Sequence, residues 1–506
     1  MAGARRLTET TLIGLFWTTL AKGGQGVLQL IAMLFLARLL TPEEFGLFAA
    51  ALVIAGFSAI FSELGVAAAI VQRPVLESRH IRSGFTLSIA TSLVVGPAVF
   101  FSADAIAGFF QIPELAGVVR LMAFGFPLHG ISTVAQSLAL RSFRFSWLAM
   151  VDAGAMALGF VVVAPVLTLL DFGVYALVAA YLTQQTVLTV ILLYGSPHDK
   201  RPMFELRAVG ELMYFGAGFS LARFCNYFAT QADNLIVGRF LGPAALGHYA
   251  YAYQLMASPA TLFGQILDRV LFPTMASVQH EPERLERAYR SGIFVCATVI
   301  LPVSAIIAIL APEIVLILLG PVWVDVAVPL RILACGMLFR TSYKISDTIV
   351  RATGAVYARA WRQAVFAAAV LLCAYVGQSW GLAGVAAGVV VALAINFTMM
   401  AQLSLRLSGM PWRDFVQCHK AGLVLAMIHG ATGLAAATWL RDVGAGPFGV
   451  VAGTALVAML LVPILVWTLP QLILGPDRVH LLRMLAKVAP GKMKGGIALL
   501  QRRVSS

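Results

Sequence analysis

Long apolar stretches alternate along the sequence with short segments that carry charges, glycine or proline. Each stretch spans about 20 residues, the length that an α-helix needs to cross the hydrocarbon core of a bilayer. The pattern predicts an all-α, polytopic membrane protein with about fourteen transmembrane helices. The expected spans are Leu12 to Ala37, Phe45 to Gln72, Gly84 to Ser102, Leu115 to Leu140, Trp147 to Leu170, Val174 to Tyr194, Gly210 to Thr230, Ala244 to Val278, Ser291 to Leu310, Val326 to Val350, Trp361 to Val376, Leu382 to Leu405, Lys420 to Leu440 and Phe448 to Leu469.

The composition supports a membrane protein with short loops. Of 506 residues, 60% are hydrophobic and 12% are charged, and the mean hydropathy is +0.88. A soluble domain carries about 25% charged residues, so a large soluble catalytic domain is excluded. The sequence has no Walker A, G-x-S-x-G, H-E-x-x-H or D-x-D motif, which indicates a protein that is not an enzyme and binds no cofactor or metal. The five cysteines lie apart, without a C-x-x-C pair, and are expected to be reduced packing residues.

Lysine and arginine exceed aspartate and glutamate by 36 to 23, and their distribution predicts the topology. When alternate loops are assigned to opposite sides, roughly three quarters of the basic residues fall on the side of the N-terminus. The positive-inside rule then places both termini in the cytoplasm, which requires an even number of spans. Because topology accounts for the excess charge, no nucleic-acid partner is expected. His80, His198 and His280 lie in polar loops on the same side and are expected to be solvated.

Two segments of the chain repeat each other. Arg38 to Phe48 and Arg239 to Tyr249 share the pattern R-[LF]-L-x-P-x-x-[FL]-G-x-[FY] at an offset of 201 residues, and Arg120 to Gly125 matches Arg331 to Gly336 at an offset of 211. Each copy holds six spans, an even number, so the two halves have the same orientation and an axis along the membrane normal relates them. The predicted domains are a first six-helix lobe (1–200), a second six-helix lobe (201–406), two additional helices (407–475) and a basic cytoplasmic tail (476–506).

Four cations lie deep within the predicted spans: Lys22, Arg223, Arg340 and Lys344. Lys22 lies about 15 Å from either end of its helix, too far for its side chain to reach an interface comfortably. Polar residues recur on one face of spans one, four, seven and ten, which the repeat relates, so we expect a central hydrophilic cavity between the lobes. The candidate substrate-binding residues are Lys22, Gln25, Gln29, His129, Arg223, Asn226, Arg340, Lys344 and Asp347.

The chemistry of these residues indicates an anionic ligand. A purely structural set of charges, with Arg340 or Lys344 paired to Asp347 for example, would be nearly neutral, whereas cations outnumber the deep acids here. For any single residue the structural alternative stays open. A net-positive, water-filled cavity favours a phosphate or pyrophosphate, to which arginine donates bidentate hydrogen bonds. Glu63 and Asp268 are candidates for a proton or sodium site, but ion pairs or helix caps are the favoured interpretation.

Three motifs carry a family resemblance: Phe61 to Arg73, Asp233 to Pro243 and Val270 to Pro273. They resemble the polysaccharide transporter branch of the multidrug/oligosaccharidyl-lipid/polysaccharide flippase superfamily, particularly its Wzx-type flippases. The resemblance implies two six-helix lobes around a cavity, and flipping of an undecaprenyl-pyrophosphate-linked oligosaccharide from the cytoplasmic to the periplasmic leaflet of a bacterial inner membrane by alternating access. Such flipping serves exopolysaccharide, capsule or O-antigen biosynthesis. The implied partners are the lipid-linked oligosaccharide and the bilayer, with a polysaccharide polymerase and export machinery as further candidates.

Other classes of protein remain as alternatives. A peptidoglycan-precursor lipid flippase also needs a cationic cavity for a pyrophosphate and is the nearest rival. A multidrug or cation antiporter of the same superfamily would share the fold, but it should carry acids in its cavity. A polymerase or ligase acting on lipid-linked glycans would be an enzyme with a large periplasmic loop, whereas every predicted outside loop is short.

Overall fold

The computed structural model describes Gly26, Leu28, Gln29 and residues 31–468, and every regular element in this part of the chain is helical. Two of the predicted site residues, Lys22 and Gln25, and the predicted basic tail lie outside the described residues. The helices in chain order are α1 Pro42–Glu63, α2 Val66–Gln72, α3 Ser78–Phe101, α4 Ala103–Phe110, α5 Leu115–Met122, α6 Gly125–Arg141, α7 Phe145–Met156, a π-helical segment Ala157–Val163, α8 Ala164–Thr168, α9 Val174–Gly195, α10 Leu206–Ser277, α11 Pro282–Leu318, a 3₁₀ segment Pro321–Val326, α12 Ala327–Cys335, α13 Met337–Ala352, α14 Val356–Gly377, a 3₁₀ segment Gln378–Trp380, α15 Gly381–Ser408, α16 Trp412–Asp442 and α17 Pro447–Thr468.

These helices confirm an all-α, polytopic membrane protein, but they do not confirm the count of fourteen spans. Within residues 31–468, nine helical stretches are long and apolar enough to cross a membrane, or ten if the pair Pro321–Cys335 and Met337–Ala352, bent by 45°, is one broken span. One of the nine, Tyr357–Ser408, contains both α14 and α15. Helix α10 runs for 72 residues with a break at Gly242 (φ 87°, ψ 178°), and its two arms cover the predicted spans seven and eight.

Helix α1 begins and ends where its local sequence requires. The Thr41 hydroxyl accepts a hydrogen bond from the Glu44 backbone N–H at 3.3 Å, and the Glu44 carboxylate accepts one from the Thr41 N–H at 2.8 Å. This capping box satisfies N–H groups that the first helical turn leaves without partners. Pro42 fits the first helical position because no helical N–H bond is lost there. Leu64 and Gly65, both at positive φ, end the helix.

Packing divides the chain into two compact units, Met1–Ala250 and Tyr251–Ser506. The first arm of α10 therefore packs with the helices that precede it. The predicted boundary between the lobes at residue 200 rests on the sequence repeat and not on packing, and it stays a prediction.

In the first unit, the two copies of the repeated motif contact each other reciprocally. A Cβ placed on Gly46 would lie 1.7 Å from the carbonyl oxygen of Pro243, and a Cβ placed on Gly247 would lie 2.1 Å from the carbonyl oxygen of Pro42. Both distances exclude any residue larger than glycine without backbone movement. Pro42 and Gly46 are the equivalents of Pro243 and Gly247 at the offset of 201, so the contact has local twofold character.

Helix α1 also packs against the first arm of α10. Four aromatic rings, those of Phe57, Phe61, Phe224 and Phe228, interlock with centroids 5.0 to 6.0 Å apart. The Tyr227 hydroxyl donates a hydrogen bond to the carbonyl oxygen of Val53 at 2.8 Å. Edge-to-face and tilted rings of this kind contribute beyond their buried area, so the packing holds the polar side chains of this arm in place.

In the second unit, α13 has one face packed against its neighbours. The Phe339 and Phe397 rings lie 5.4 Å apart, and the Ser404 hydroxyl on α15 donates to the Ser346 carbonyl oxygen at 3.1 Å. Tyr289 on α11 and Ser346 join their hydroxyl groups at 2.8 Å. The buried face leaves the opposite face of α13 to carry the predicted stripe of charged residues.

The five cysteines are all free. Cys296 and Cys418 are buried, as expected of packing residues, whereas Cys335 is exposed. In a membrane protein an exposed apolar position can face lipid, so Cys335 is not a core residue of its unit.

Candidate functional site

In the first unit, a buried carboxylate joins two of the predicted site residues. Glu63, the last residue of α1, is 7% exposed. Its Oε1 lies 2.8 Å from Nε2 of His129 on α6, and its Oε2 accepts a hydrogen bond from the Arg223 guanidinium on α10. Arg223 is thus charge-compensated, as the structural alternative requires. With a neutral His129, this cluster has no net charge.

The other predicted residues of this unit lie on exposed surfaces. Gln29 and Asn226 are both exposed, and Asn226 lies one turn from Arg223 on α10. Asn226 also offers its backbone oxygen to the Thr230 hydroxyl at 3.1 Å. The role of both side chains in binding stays a prediction.

The polar loops of the first unit are more ordered than the sequence indicates. His80 is 0% exposed, so the expectation that it is solvated was wrong. Its Nε2 lies 3.0 Å from the Glu211 carboxylate, which also pairs with Arg73. The loop after α2 is therefore tied to the start of α10. His198 is half-buried, and this burial lowers the pKa of its imidazole.

In the second unit, the predicted stripe on α13 is built around two aspartates. Asp347 pairs with Arg351 one turn away, at 3.1 Å from Oδ2 to Nε, and with Arg359 on α14. Asp268 on the second arm of α10 pairs with Arg351 at 2.5 Å. Asp268 also accepts a hydrogen bond from the Thr348 hydroxyl.

These contacts change the expected pairing of the stripe. The structural alternative gave Asp347 as an ion-pair partner of Arg340 or Lys344, but its carboxylate is shared between Arg351 and Arg359 instead. The reason is geometric, because Arg359 approaches from the next helix. Arg359 on α14 and Arg351 on α13 can therefore contact the Asp347 carboxylate at the same time.

Arg340 and Lys344 occupy the N-terminal turns of the stripe. The Arg340 guanidinium donates a hydrogen bond to the Tyr253 hydroxyl and lies 4.8 Å from the centre of that ring, a cation–π contact. The Lys344 side chain packs against Gly264. A Cβ placed on Gly264 would lie 3.0 Å from Cδ and 3.6 Å from Nζ of Lys344. No carboxylate in the described part of the chain lies within ion-pair distance of Lys344.

The α13 cluster therefore has a net positive charge. We use this name for four cations, Arg340, Lys344, Arg351 and Arg359, and two carboxylates, Asp268 and Asp347, which leave a net charge of +2. Burial makes a cation without an ion-pair partner costly, and Lys344 has no carboxylate within ion-pair distance among the described residues. An anionic ligand would lower that cost, and arginine and lysine are the side chains that bind phosphate groups.

Sequence reasoning missed several residues of this cluster. Tyr253 is one of many aromatic residues, and nothing in its local pattern singles it out. Arg351 lies on the stripe, but it is also near the end of a predicted span, where a basic residue is expected to belong to a cytoplasmic loop. The ion pair expected for Asp268 exists, although its partner, Arg351, is far away in sequence.

Comparison with known proteins identifies the family. A family described as "Polysaccharide biosynthesis protein" matches residues 35–329. Among curated relatives, the succinoglycan biosynthesis transport protein ExoT of Rhizobium meliloti (strain 1021) is 30% identical over 62% of this chain and 63% of its own length. The lipopolysaccharide biosynthesis protein WzxC of Escherichia coli (strain K12) is 26% identical over 66% of this chain and 68% of its own, and the teichuronic acid biosynthesis protein TuaB of Bacillus subtilis (strain 168) is 25% identical over 69% and 72%.

Solved structures share the fold. The lipid II flippase MurJ in an inward closed conformation superposes with a TM-score of 0.74 at 14% identity, covering 90% of this chain and 99% of its own. An inward-facing multidrug resistance MATE family transporter of the MOP superfamily superposes with a TM-score of 0.61 at 17% identity, covering 76% and 96%. At these identities the likeness concerns the fold alone. The resemblance to Wzx-type transporters is confirmed, and the chain belongs to the polysaccharide biosynthesis protein family.

Proposed function

We propose that the protein is a flippase that moves an undecaprenyl-pyrophosphate-linked oligosaccharide from the cytoplasmic to the periplasmic leaflet of a bacterial inner membrane. The relatives are named for succinoglycan transport, lipopolysaccharide biosynthesis and teichuronic acid biosynthesis. These polymers differ, so the names support a class of substrate, a glycan of polysaccharide biosynthesis, rather than one glycan. The lipid linkage of that glycan is part of the proposal. The relatives are transport and biosynthesis proteins of this kind, which supports transport without covalent chemistry.

One observation carries the proposal: the net positive charge of the α13 cluster. A pyrophosphate cannot cross hydrocarbon unaided, because the loss of its hydration costs many kcal/mol. Lys344 and Arg340 offer positive charge on a membrane helix, and they would replace part of the lost hydration. The same charge disfavours a multidrug or cation antiporter, whose ligand it would repel.

We propose that transport proceeds by alternating access. The sequence repeat supports this, since transporters built from two related halves rock these halves around a site near the membrane centre. The reciprocal contact of Gly46 with Pro243 and of Gly247 with Pro42 lies at the ends of helices that we assign to the periplasmic side. These glycines allow a close contact, which we expect to separate when the protein opens on that side.

The proposed orientation can be tested by labelling. In a variant without the native cysteines, Asp442→Cys should react with an impermeant thiol reagent added from outside, whereas Arg284→Cys should react only after the cells are opened. The charge distribution predicts this pattern. The reverse pattern would contradict cytoplasmic termini.

Polymer export tests the proposed substrate. In a strain that lacks the gene, wild-type protein should restore export, whereas Arg340→Gln and Lys344→Gln should not, although both reach the membrane. Arg331→Gln is the matched control, because Arg331 is exposed on α12 and donates to the Ala308 carbonyl oxygen at 3.1 Å, away from the α13 cluster. Normal export by both cluster variants would contradict the proposal. Accumulation of peptidoglycan precursors in the deletion strain would favour the rival substrate.

A further inference from the structure

The two arginines at one end of the α13 cluster are held differently from Lys344. Arg351 lies between two carboxylates, with its Nη2 on Asp268 and its Nε on Asp347. Arg359 donates to both carboxylate oxygens of Asp347. The side chains of Arg351 and Asp268 are 37% and 38% exposed, so the surrounding helices do not enclose this pair. Exposed ion pairs contribute little net stability, about 0–1 kcal/mol, and they exchange partners readily.

The stripe arranges these groups in sequence along one helix. Arg351 lies about 10 Å from Lys344 along α13, and Lys344 lies about 6 Å from Arg340. Asp347 stands between the two pairs of cations. An anion that moves along this face would therefore meet Arg351 and Arg359 at one end and Arg340 and Lys344 at the other.

Four cations without compensation would bind a polyanion tightly and release it slowly. A transporter needs the opposite property, since its ligand must leave on the other side. The two aspartates lower the charge that the ligand meets from +4 to +2. They do so at the two arginines, whose planar guanidinium groups are suited to bidentate binding of phosphate.

We propose that Asp268 and Asp347 are internal competitors for the phosphate groups of the ligand. Arg351 and Arg359 form an outer anion site that the aspartates occupy when the ligand is absent. A pyrophosphate displaces the carboxylates on binding, and the carboxylates displace the pyrophosphate as it moves on. The aspartates thereby set affinity and release. This inference rests on the proposed function, because it assigns regulation to the same site.

Binding of inorganic pyrophosphate to the purified full-length protein tests the proposal. In nanodiscs of neutral lipid, titration calorimetry should show that Asp268→Asn and Asp347→Asn tighten binding about threefold to fivefold, the range expected when an exposed competing pair is removed. Arg351→Gln should weaken it. The matched control is Asp104→Asn, since Asp104 pairs with Arg120 in the other unit, and this variant should bind like wild type.

A structural role for the aspartates predicts different results. If they only hold α10 to α13, their removal should weaken binding or leave it unchanged, and either result would overturn the proposal. The double variant Asp268→Asn with Arg351→Gln restores the net charge, so competition predicts affinity near wild type. A structural role predicts a loss at least as large as in the single variants. This double variant keeps the test decisive if one single variant does not fold.

Two further experiments distinguish failure of the competition from failure of the proposed function. If Lys344→Gln abolishes pyrophosphate binding while both aspartate variants bind like wild type, the cationic site stands and the competition fails. If Lys344→Gln binds like wild type, the proposed function fails as well. Repetition in nanodiscs that contain phosphatidylglycerol tests the other source of phosphate. Complete loss of pyrophosphate binding there would assign the outer site to lipid headgroups and overturn the proposal.

Discussion

The Glu63 cluster of the first unit and the α13 cluster of the second occupy related parts of the repeat but differ in charge. Glu63 is buried and pairs with both His129 and Arg223, so with a neutral His129 its cluster has no net charge. The α13 cluster keeps two positive charges beyond its carboxylates. At the offset of 211, His129 and Thr133 stand where the second copy has Arg340 and Lys344. The two copies share a fold, but only the second has described cations in excess, which indicates that the halves have different tasks.

The largest expected effect comes from giving the second copy the uncharged residues of the first, because this removes the excess positive charge of the α13 cluster. Lys344→Thr and Arg340→His give the second copy the residues of the first. We expect each variant to lose polymer export by at least about tenfold, a loss of about 1.4 kcal/mol or more in binding. Pulse-labelled polymer in the medium measures the loss, and normal export by both variants would show that charge on α13 is not needed.

The reciprocal glycine contact should give the next largest effect. In Gly46→Ala, the added methyl group would lie 1.7 Å from the Pro243 carbonyl oxygen, so we expect a loss of about 1–3 kcal/mol in stability of the packed state. Export should fall, and the thermal unfolding temperature of purified protein should drop. Gly108→Ala is the control, because nothing lies within 4 Å of the new Cβ, and it should unfold like wild type. An equal effect of the two substitutions would contradict a tight contact.

Removal of the buried Glu63 carboxylate should destabilise the first unit and leave pyrophosphate binding by the α13 cluster unchanged. Glu63→Gln removes the negative charge that His129 and Arg223 share and leaves one accepting oxygen in place of two, at an expected cost of about 1–3 kcal/mol. Thermal unfolding should show the loss, while pyrophosphate affinity should not change. If affinity fell as strongly as in Lys344→Gln, the two clusters would form one functional site and the contrast between them would be wrong.

Removal of an exposed ion pair should have the smallest effect on the free energy of unfolding, and it gives the reference value for the buried pair. Asp104 and Arg120 pair at 2.6 Å, but Asp104 is 74% exposed. Asp104→Asn should change the unfolding free energy by less than about 0.5 kcal/mol. A loss as large as that of Glu63→Gln would show that burial does not separate the two kinds of pair.

The sequence predicted what local patterns determine. Apolar stretches and helical periodicity identified the membrane helices and the stripe of Arg340, Lys344 and Asp347, because residues three and four apart share a helix face. The repeat at Pro42 and Pro243 also predicted related elements, and these elements contact each other.

The pairing of charges could not be predicted in the same way. Glu63 and Arg223 are 160 residues apart, and Asp268 and Arg351 are 83 apart. Spacing along the chain carries no information about such contacts. For the same reason His80 was expected in solvent, although α10 folds over it and supplies Glu211.

Flipping by the purified protein tests the central claim most directly. Proteoliposomes would contain an undecaprenyl-pyrophosphate-linked oligosaccharide, and a membrane-impermeant lectin would report how fast the glycan becomes accessible on the trans side. We predict rapid flipping by the wild type and by Arg331→Gln, and a rate at least about tenfold lower for Lys344→Gln. A wild-type rate equal to that of empty liposomes, or an equal rate for wild type and Lys344→Gln, would contradict the account.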